Sequence, residues 1–212
     1  MNERDLRTKP QTRLGILGGT FNPVHIGHLI LAQNAMEIFD LAKVLFVPCD
    51  NPPHKGRSML LEPRHRLAML EHALEGELRF DVCDVEIERG GISYTVDTLT
   101  ELEQRYPDTS LHFIVGTDTL TELHTWKDIY RILDMCTFVS LCRPGADVSR
   151  ISRESLHLDP PWPDRLLANV ATGRLIDVSS SDIRYRVAEG LSIRYLVPDA
   201  VEMYIAEHGL YT

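Results

Sequence analysis

The segment that most constrains the fold lies near the amino terminus. An apolar run from Leu14 to Leu17 leads directly into residues 18–28, GlyGlyThrPheAsnProValHisIleGlyHis. This pattern predicts a buried strand, a glycine turn and the start of a helix. Such a turn presents unpaired amides and the positive end of a helix dipole, which suit a bound phosphate. We expect Gly18 and Gly19 to allow positive φ values and close approach of a ligand to the backbone.

The second feature is a pair of histidines in the same segment. His25 and His28 are three positions apart, so both side chains are expected on one side of the first helical turn. Two histidines at this spacing are most often surface residues, but the strand, glycines and helix start indicate one site. Gly15, Gly18 and Gly19 do not have the spacing of GxGxxG, so a hydride-transfer enzyme is disfavoured. The Gly-Lys-Ser/Thr ending of a Walker loop is absent from the sequence, which argues against that phosphate loop.

Strand-like segments alternate with helical patterns along the chain. The predicted strands cover residues 14–17, 43–49, 80–87, 111–115, 137–142 and 174–178. This alternation predicts an α/β fold with a doubly wound, mostly parallel, Rossmann-like sheet and helices on both faces. Predicted helices follow at Leu29–Phe39, after Pro63, at Val96–Tyr106, from a capping box at residues 119–122 through Trp126 to Leu133, from Ser179 to Gly190 and from Pro198 to Gly209.

The length of 212 residues predicts a single domain over residues 13–212, after a loose tail at residues 1–12. Residues 144–173 are proline-rich with little pattern and are predicted to be an irregular insertion. The sequence has no run of eighteen apolar residues, which argues against a membrane span. The four cysteines form no CxxC pair and favour a reduced, cytoplasmic protein.

The charge balance bears on the ligand. A net charge of −9 disfavours a nucleic-acid surface, so a small anion needs local cations such as Lys55, Arg143 and Arg184. Residues 178–184, ValSerSerSerAspIleArg, predict a second helix start suited to an anion. Serines there are most often simple caps, and that alternative stays open. Two such helix starts in one sheet favour a triphosphate lying between the histidine pair and Ser180 with Arg184.

These segments resemble a known family. Residues 18–28 resemble the GGxFDPxHxGH signature of the nucleotidyltransferase superfamily, and residues 178–184 resemble its ISSTxIR motif. The resemblance to the bacterial nicotinate mononucleotide adenylyltransferases extends over most of the chain through residues 51–55, 93–99, 116–120 with Trp126, and 142–145. Three positions depart from the pattern: Asn22, Val178 and Ser181 stand where the family has Asp, Ile and Thr. Because Asn22 has no carboxylate, any role of this side chain as a carboxylate ligand to a metal ion is weakened.

The resemblance implies an activity. The 5′-phosphate of nicotinate mononucleotide attacks the α-phosphorus of ATP in line, giving deamido-NAD and pyrophosphate in NAD biosynthesis. A covalent enzyme intermediate is not implied, because an ionised phosphate is already a nucleophile. Mg²⁺ is implied as a cofactor carried mainly by the ATP phosphates, without protein ligands. ATP and nicotinate mononucleotide are the implied partners, with no nucleic acid and no membrane, and the oligomeric state stays open.

The resemblance also implies residue roles. The implied catalytic residues are His25, His28, Lys55 and Arg184. The implied ATP contacts are Gly18, Gly19, Thr20, Phe21, Gly116, Asp118, Arg143, Ser180 and Ser181. The implied pyridine-nucleotide contacts are Asn22, Tyr94, Thr95 and Trp126. Trp126 is expected to stack on the pyridine ring while the backbone near Thr95 and Trp126 binds the nicotinate carboxylate; core packing of Trp126 is the alternative, as is a helix cap for Asp118.

Three other functions stay open from the sequence. The enzyme could prefer nicotinamide mononucleotide, since backbone donors rather than a diagnostic side chain would read the pyridine substituent. A non-catalytic nucleotide sensor of the same fold is a second alternative, although it has no need of all four implied catalytic residues. A metal hydrolase using His25, His28 and His54 is the third, and it lacks an evident carboxylate partner at zinc spacing.

Overall fold

The computed structural model describes residues 12–52, 60–142 and 151–212 of the chain. Within these ranges, six parallel strands form one sheet in the order β3-β2-β1-β4-β5-β6. The strands are β1 (Thr12–Gly19), β2 (Lys43–Pro48), β3 (Phe80–Val82), β4 (Thr109–Gly116), β5 (Thr137–Leu141) and β6 (Val170–Ala171). The predicted α/β, doubly wound, Rossmann-like fold is confirmed. Its strand order reverses between β1 and β4, where sheets of this kind bind ligands.

Helices cover both faces of the sheet. They are α1 (Ile26–Phe39), α2 (Pro63–Leu74), α3 (Val85–Arg89), α4 (Thr95–Arg105), α5 (Thr117–Leu120), α6 (Ile129–Met135), α7 (Trp162–Leu167), α8 (Ser180–Ala188) and α9 (Asp199–Glu207). Short 3-10 helices occupy Leu123–Thr125 and Glu154–Leu156. Of the described helices, not one has the length and apolar character needed to cross a membrane.

The core consists of two clusters, one on each face of the sheet. In β2, Val44 and Phe46 join the cluster under α1, α2 and α9, whereas Leu45 and Val47 join the cluster under α4 and α6. Successive side chains of a strand point to opposite faces, so a strand covered on both faces must be apolar throughout. This explains the continuous apolar runs from which β1, β2 and β4 were predicted.

Two predicted strands are wrong. Residues 174–178 are neither strand nor helix, because Arg174 leaves the sheet edge to bond Asn34 on α1. The Asn34 side chain donates to the Arg174 carbonyl at 3.3 Å and accepts from its guanidinium at 3.0 Å. The predicted strand at residues 80–87 ends at Val82, and its second half is α3, in which the adjacent Val85 and Glu86 are both buried. The helix is defined by its own hydrogen bonds: the Glu88 amide donates to the Asp84 carbonyl at 2.9 Å and the Gly90 amide to the Glu86 carbonyl at 3.0 Å.

The helix predicted from residue 119 through Trp126 to Leu133 is also corrected. Its first part is α5, which already begins at Thr117, and α6 begins only at Ile129. Asp128 has φ 53° and ψ 42°. A left-handed residue interrupts the right-handed helical path. Trp126 therefore lies between helices, and its position is set by the loop.

The ends of the domain prediction fall partly outside the described residues. Thr12 belongs to β1, and residues 1–11 lie outside the description. In the segment at 144–173, residues 144–150 lie outside it, and the remainder contains α7 and β6. Because β6 pairs with Ser140 and Leu141 of β5, this part of the segment extends the sheet instead of being irregular.

A buried arginine holds the loops at the carboxyl edge of the sheet. Arg66, on the inner face of α2, is 0% exposed. Its guanidinium donates to the carbonyls of Leu61 at 3.0 Å, Thr20 at 3.0 Å and Cys49 at 2.7 Å. Burial lowers the pKa of Arg66 below its ordinary value, yet a guanidinium retains its charge in proteins. One side chain thus joins the segments that follow β1 and β2.

We expect Arg66→Met to lower the free energy of unfolding by about 3 kcal/mol or more, because it leaves three carbonyls without their donor. Arg64→Met is the matched control on the same helix, since Arg64 is 73% exposed. It should change stability by less than about 0.5 kcal/mol. Denaturant unfolding of both variants measures the difference, and equal stabilities would contradict the structural role of Arg66.

Candidate active site

A cleft of about 830 Å³ opens at the carboxyl ends of the strands. The start of α1, the end of β1, α5 and the start of α8 all contribute to its walls. The predicted residues that line it are Gly18, Gly19, Thr20, Asn22, His25, His28, Asp118, Ser180, Ser181 and Arg184. The structure therefore brings together the two predicted phosphate segments, which are separated by about three quarters of the sequence.

The histidine pair lies where the spacing predicts. His25 immediately precedes α1, and its ring stacks on that of His28 with centroids 3.7 Å apart and planes 27° apart. The His25 backbone amide donates to His28 Nδ1 at 3.3 Å. An Nδ1 atom that accepts a hydrogen bond leaves Nε2 to carry the ring proton. His28 is thereby oriented as an Nε2–H donor beside the amino terminus of α1.

The glycines act differently from the prediction. Gly18 and Gly19 both belong to β1, and the positive φ, 45°, occurs at Phe21. Phe21 is buried, and its ring meets the edge of His28 at 5.0 Å between centroids. A Cβ atom on Gly19 would come within 3.2 Å of the Phe21 ring. The absence of a side chain at Gly19 thus leaves space for the Phe21 ring, which packs against His28.

The start of α8 docks directly on the segment before α1. Ser180 Oγ donates to the Pro23 carbonyl at 2.8 Å, and the Arg184 guanidinium donates to the Asn22 carbonyl at 2.8 Å. Arg184 also donates to Ser181 Oγ at 3.2 Å. The capping role is taken by Ser179, whose hydroxyl accepts from the Asp182 amide at 3.1 Å. Ser180 and Ser181 are therefore distinct from the cap, and both line the cleft.

Asn22 is buried and forms part of the supporting structure. Its Oδ1 accepts from the Tyr211 hydroxyl at 2.9 Å and from the Leu61 amide at 3.3 Å. Burial raises the pKa of Tyr211, so its phenol retains the proton that it donates here. The carboxyl-terminal residues are thus attached to the same loop as the histidines. Asn22 lines the cleft while its oxygen is occupied by these contacts.

A smaller cavity of about 210 Å³ adjoins the cleft and shares Gly18 and Gly19 with it. Three of the predicted site residues, Thr95, Gly116 and Trp126, line this cavity together with Glu86 and Ser93. Trp126 is half-buried, and its ring meets Phe113 and Phe138 edge-on at 5.9 and 6.0 Å. Trp126 therefore packs against core aromatic residues and also forms a wall of the cavity, and its stacking on a pyridine ring stays a prediction.

The remaining predicted residues have other positions. Tyr94 precedes α4, and the Lys127 ammonium lies 4.3 Å from its ring centroid; Tyr94 lines neither of the two cavities. Lys55, Arg143 and also His54 lie outside the described residues. Their roles stay predictions.

The predicted site residues omit several charged residues of this region: Glu122, Arg174 and Asp177 at the cleft, Glu86 at the small cavity, and Arg66 in the supporting loops. Arg174 lines the cleft, but its segment was interpreted as a strand. Glu86 lines the small cavity, and it too was assigned to a strand. A signal existed for Arg66 alone among the missed residues, because it lies three and four positions before the apolar Met69 and Leu70 on a helix.

Comparison with known proteins agrees with this geometry. The model of the cytidylyltransferase-like family matches residues 16–186. A probable nicotinate-nucleotide adenylyltransferase of Desulfitobacterium hafniense (strain Y51) is 43% identical over 203 residues, which is 95% of this chain and 97% of the relative. One of Halalkalibacterium halodurans is 45% identical over 200 residues, covering 94% and 91%.

Solved structures show the same fold at low identity. The Plasmodium falciparum nicotinic acid mononucleotide adenylyltransferase complexed with NaAD has a TM-score of 0.71 at 18% identity, covering 94% of this chain and 97% of the other. A putative nicotinate-nucleotide adenylyltransferase from Vibrio parahaemolyticus has a TM-score of 0.67 at 17% identity, covering 94% and 95%. The family-model match and the sequence identity over nearly the whole chain establish that this chain belongs to the nicotinate-nucleotide adenylyltransferase family of cytidylyltransferase-like proteins.

Proposed function

We propose that the protein transfers the adenylyl group of ATP to nicotinate mononucleotide, releasing pyrophosphate and forming deamido-NAD for NAD biosynthesis. The observation that carries this proposal is the shared cleft, in which the stacked histidines at the start of α1 face the same space as Ser180, Ser181 and Arg184. Two helix starts and an arginine in one cleft suit a polyphosphate. The adjoining cavity with Trp126 suits an aromatic ring.

The chemistry requires positioning and charge stabilisation. The acceptor phosphate is already an ionised nucleophile, so a general base is unnecessary. In our proposal the phosphate chain of ATP lies along the amides at the start of α1. His28 Nε2–H and His25 donate to the charge that develops on the α-phosphate during in-line attack. Arg184 and Ser180, with Lys55 predicted from the sequence, hold the β- and γ-phosphates and the departing pyrophosphate.

The adenosine and pyridine ends are placed by the same reasoning. Gly116 ends β4 and lines the smaller cavity, and Asp118 in α5 lines the cleft. Together with Arg143, they are proposed to contact the adenosine side. The pyridine ring is proposed to lie against Trp126, with the Thr95 amide at the start of α4 close to the ring carboxylate. The space of about 210 Å³ accommodates a single six-membered ring.

Mg²⁺ is proposed as the metal that accompanies ATP. Within the described ranges, no group of three or more His, Cys, Asp or Glu side chains is arranged to hold a metal ion. The ion is proposed to bind mainly the phosphate oxygens of ATP and water, because Mg²⁺ keeps several waters and takes few protein ligands. The ion neutralises phosphate charge when bound. A cytoplasmic location belongs to the same proposal, and the free thiols of Cys49, Cys83, Cys136 and Cys142 suit a reducing compartment.

Pyrophosphate release tests the proposed function. We expect release that requires ATP, nicotinate mononucleotide and Mg²⁺ together, with deamido-NAD formed in equal amount. Binding of ATP without turnover would support a nucleotide sensor instead. Phosphate release from one nucleotide alone, abolished by a zinc chelator, would support the metal hydrolase that uses His25 and His28. Faster turnover of nicotinamide mononucleotide would reverse the proposed substrate preference.

His28→Ala should lower kcat about 100- to 1000-fold, because it removes a donor aligned with the developing charge. His72→Ala, near the end of α2 and outside both cavities, is the matched control and should leave kcat unchanged, since His72 is exposed. Circular dichroism verifies that both variants are folded. Unchanged kcat in folded His28→Ala would remove this side chain from the chemistry.

Trp126→Ala should raise KM for nicotinate mononucleotide about tenfold, the effect of losing one ring-stacking contact. KM for ATP should change by less than about twofold, because the ATP cleft does not include this side chain. Trp162→Ala on α7, away from both cavities, serves as the control for loss of a tryptophan. Equal increases in the two KM values would assign Trp126 to core packing alone.

A further inference from the structure

A buried carboxyl group forms part of the wall of the small cavity. Glu86 on α3 is 8% exposed and lines the cavity with Ser93, Thr95 and Trp126. Its Oε1 accepts a hydrogen bond from Thr98 Oγ1 at 2.6 Å. Its Oε2 is buried and has no hydrogen-bond partner among the described residues. A buried acidic residue without an ion pair requires a physical explanation.

Two arginines, Arg89 and Arg66, lie close enough to attract a Glu86 carboxylate, but neither forms an ion pair with it among the described residues. Arg89, on the same helix, donates to Glu101 of α4 at 2.5 Å and to Thr98 at 3.1 Å. Its charge is therefore paired with Glu101. Arg66 donates to three backbone carbonyls, as described above, and the other titratable group on this cavity wall is the Cys49 thiol. Within the described ranges, Glu86 forms no ion pair with any of these groups.

Burial raises the pKa of Glu86 above its ordinary value, while the nearby hydroxyls of Thr98 and Ser93 act in the opposite direction. The net direction favours the protonated carboxyl. A neutral acid in this position avoids the cost of a buried, unpaired charge.

Glu86 is coupled to the start of α4 through Thr98. Thr98 is 1% exposed, its amide donates to the Tyr94 carbonyl at 3.2 Å, and it lies one helical turn after Tyr94 and Thr95. The Thr95 amide belongs to the first turn of α4, where helix geometry provides no intrahelical acceptor. An ionised Glu86 would compete with a substrate carboxylate for the positive end of this helix. A neutral Glu86 leaves that position to the substrate.

We propose that Glu86 is a positioning and specificity residue of the pyridine subsite: in its neutral form it anchors α4 through Thr98 and permits an acidic pyridine substrate to bind at Thr95. This inference rests on the proposed function and adds to it a residue that selects the acid over the amide. It also assigns a direction to the pH dependence. A rise in pH that ionises Glu86 weakens the binding of nicotinate mononucleotide and has little effect on the uncharged carboxamide of nicotinamide mononucleotide.

The test compares the two pyridine nucleotides over about pH 5 to 9, the range in which shifted carboxyl groups titrate. KM for nicotinate mononucleotide and the inhibition constant of nicotinamide mononucleotide are measured with saturating ATP and Mg²⁺. Both ligands carry the same phosphate, so titration of that phosphate and of the histidines cancels in the ratio of the two constants. For the unmodified protein, we expect the preference for the acid to fall about tenfold as Glu86 ionises.

Glu86→Gln keeps an acceptor for Thr98 and is neutral at every pH. In this variant we expect the preference to show no pH dependence and to stay near the low-pH value of the unmodified protein. Glu88→Gln, at the exposed end of the same helix, should follow the unmodified protein. Glu86→Ala should raise KM for nicotinate mononucleotide about tenfold through loss of the anchor, with KM for ATP changed less than about twofold.

Several outcomes would overturn the inference. A pH-independent preference in the unmodified protein would do so, as would the same decline in Glu86→Gln. Equal increases of both KM values in Glu86→Ala would reduce Glu86 to a general stabilising residue. Absence of deamido-NAD formation by the unmodified protein at every pH is a different result, because it contradicts the proposed function itself.

Discussion

The architecture of the site depends on the contact between the start of α8 and the loop before α1. Ser180 bonds the Pro23 carbonyl across 157 residues of sequence, and Arg184 bonds the Asn22 carbonyl across 162. These bonds hold two helix starts against one cleft. Each helix start alone is a weak anion site, because the effect of its dipole extends over little more than one turn. Their combination, with an arginine between them, gives a site long enough for a polyphosphate.

The loops at this edge of the sheet contain backbone polar groups that need hydrogen-bond partners, and buried side chains provide them. Backbone carbonyls leave the sheet ladder where β1 and β2 end, and a buried carbonyl without a donor is costly. Arg66 donates to two of them, those of Thr20 and Cys49, and to the Leu61 carbonyl before α2. Asn22 accepts from Tyr211 and Leu61 in the same region. The loop that carries the histidines is therefore held by hydrogen bonds from Arg66 and from Tyr211 near the carboxyl terminus. This rigidity is what electrostatic stabilisation of a transition state requires.

The two cavities differ in their electrostatics in a way that matches two different ligand parts. The cleft is polar: its histidines, serines and two arginines line it together with the acidic residues Asp118, Glu122 and Asp177. The smaller cavity has an aromatic wall and one buried carboxyl group, Glu86. In the proposed mechanism, charge is neutralised in the cleft, whereas the ring cavity discriminates between an acid and an amide through a single proton.

The sequence by itself determined the α/β class of the fold, the histidine pair and the serine–arginine helix start. Each of these depends on local patterns: apolar periodicity, glycine and proline positions and capping residues. Sequence-based prediction failed where tertiary contacts or an unusual residue conformation set the backbone path. Arg174 bonds Asn34 instead of extending a strand, and Asp128 adopts a left-handed conformation that interrupts a predicted helix. The sequence could not assign Glu86, since this charged residue is recognised as buried only when its distant partners are known, whereas the helical spacing of Arg66 with Met69 and Leu70 carried a signal. Only the tertiary structure decided that residues far apart share one cleft, because that contact arises from the crossover of helices between parallel strands.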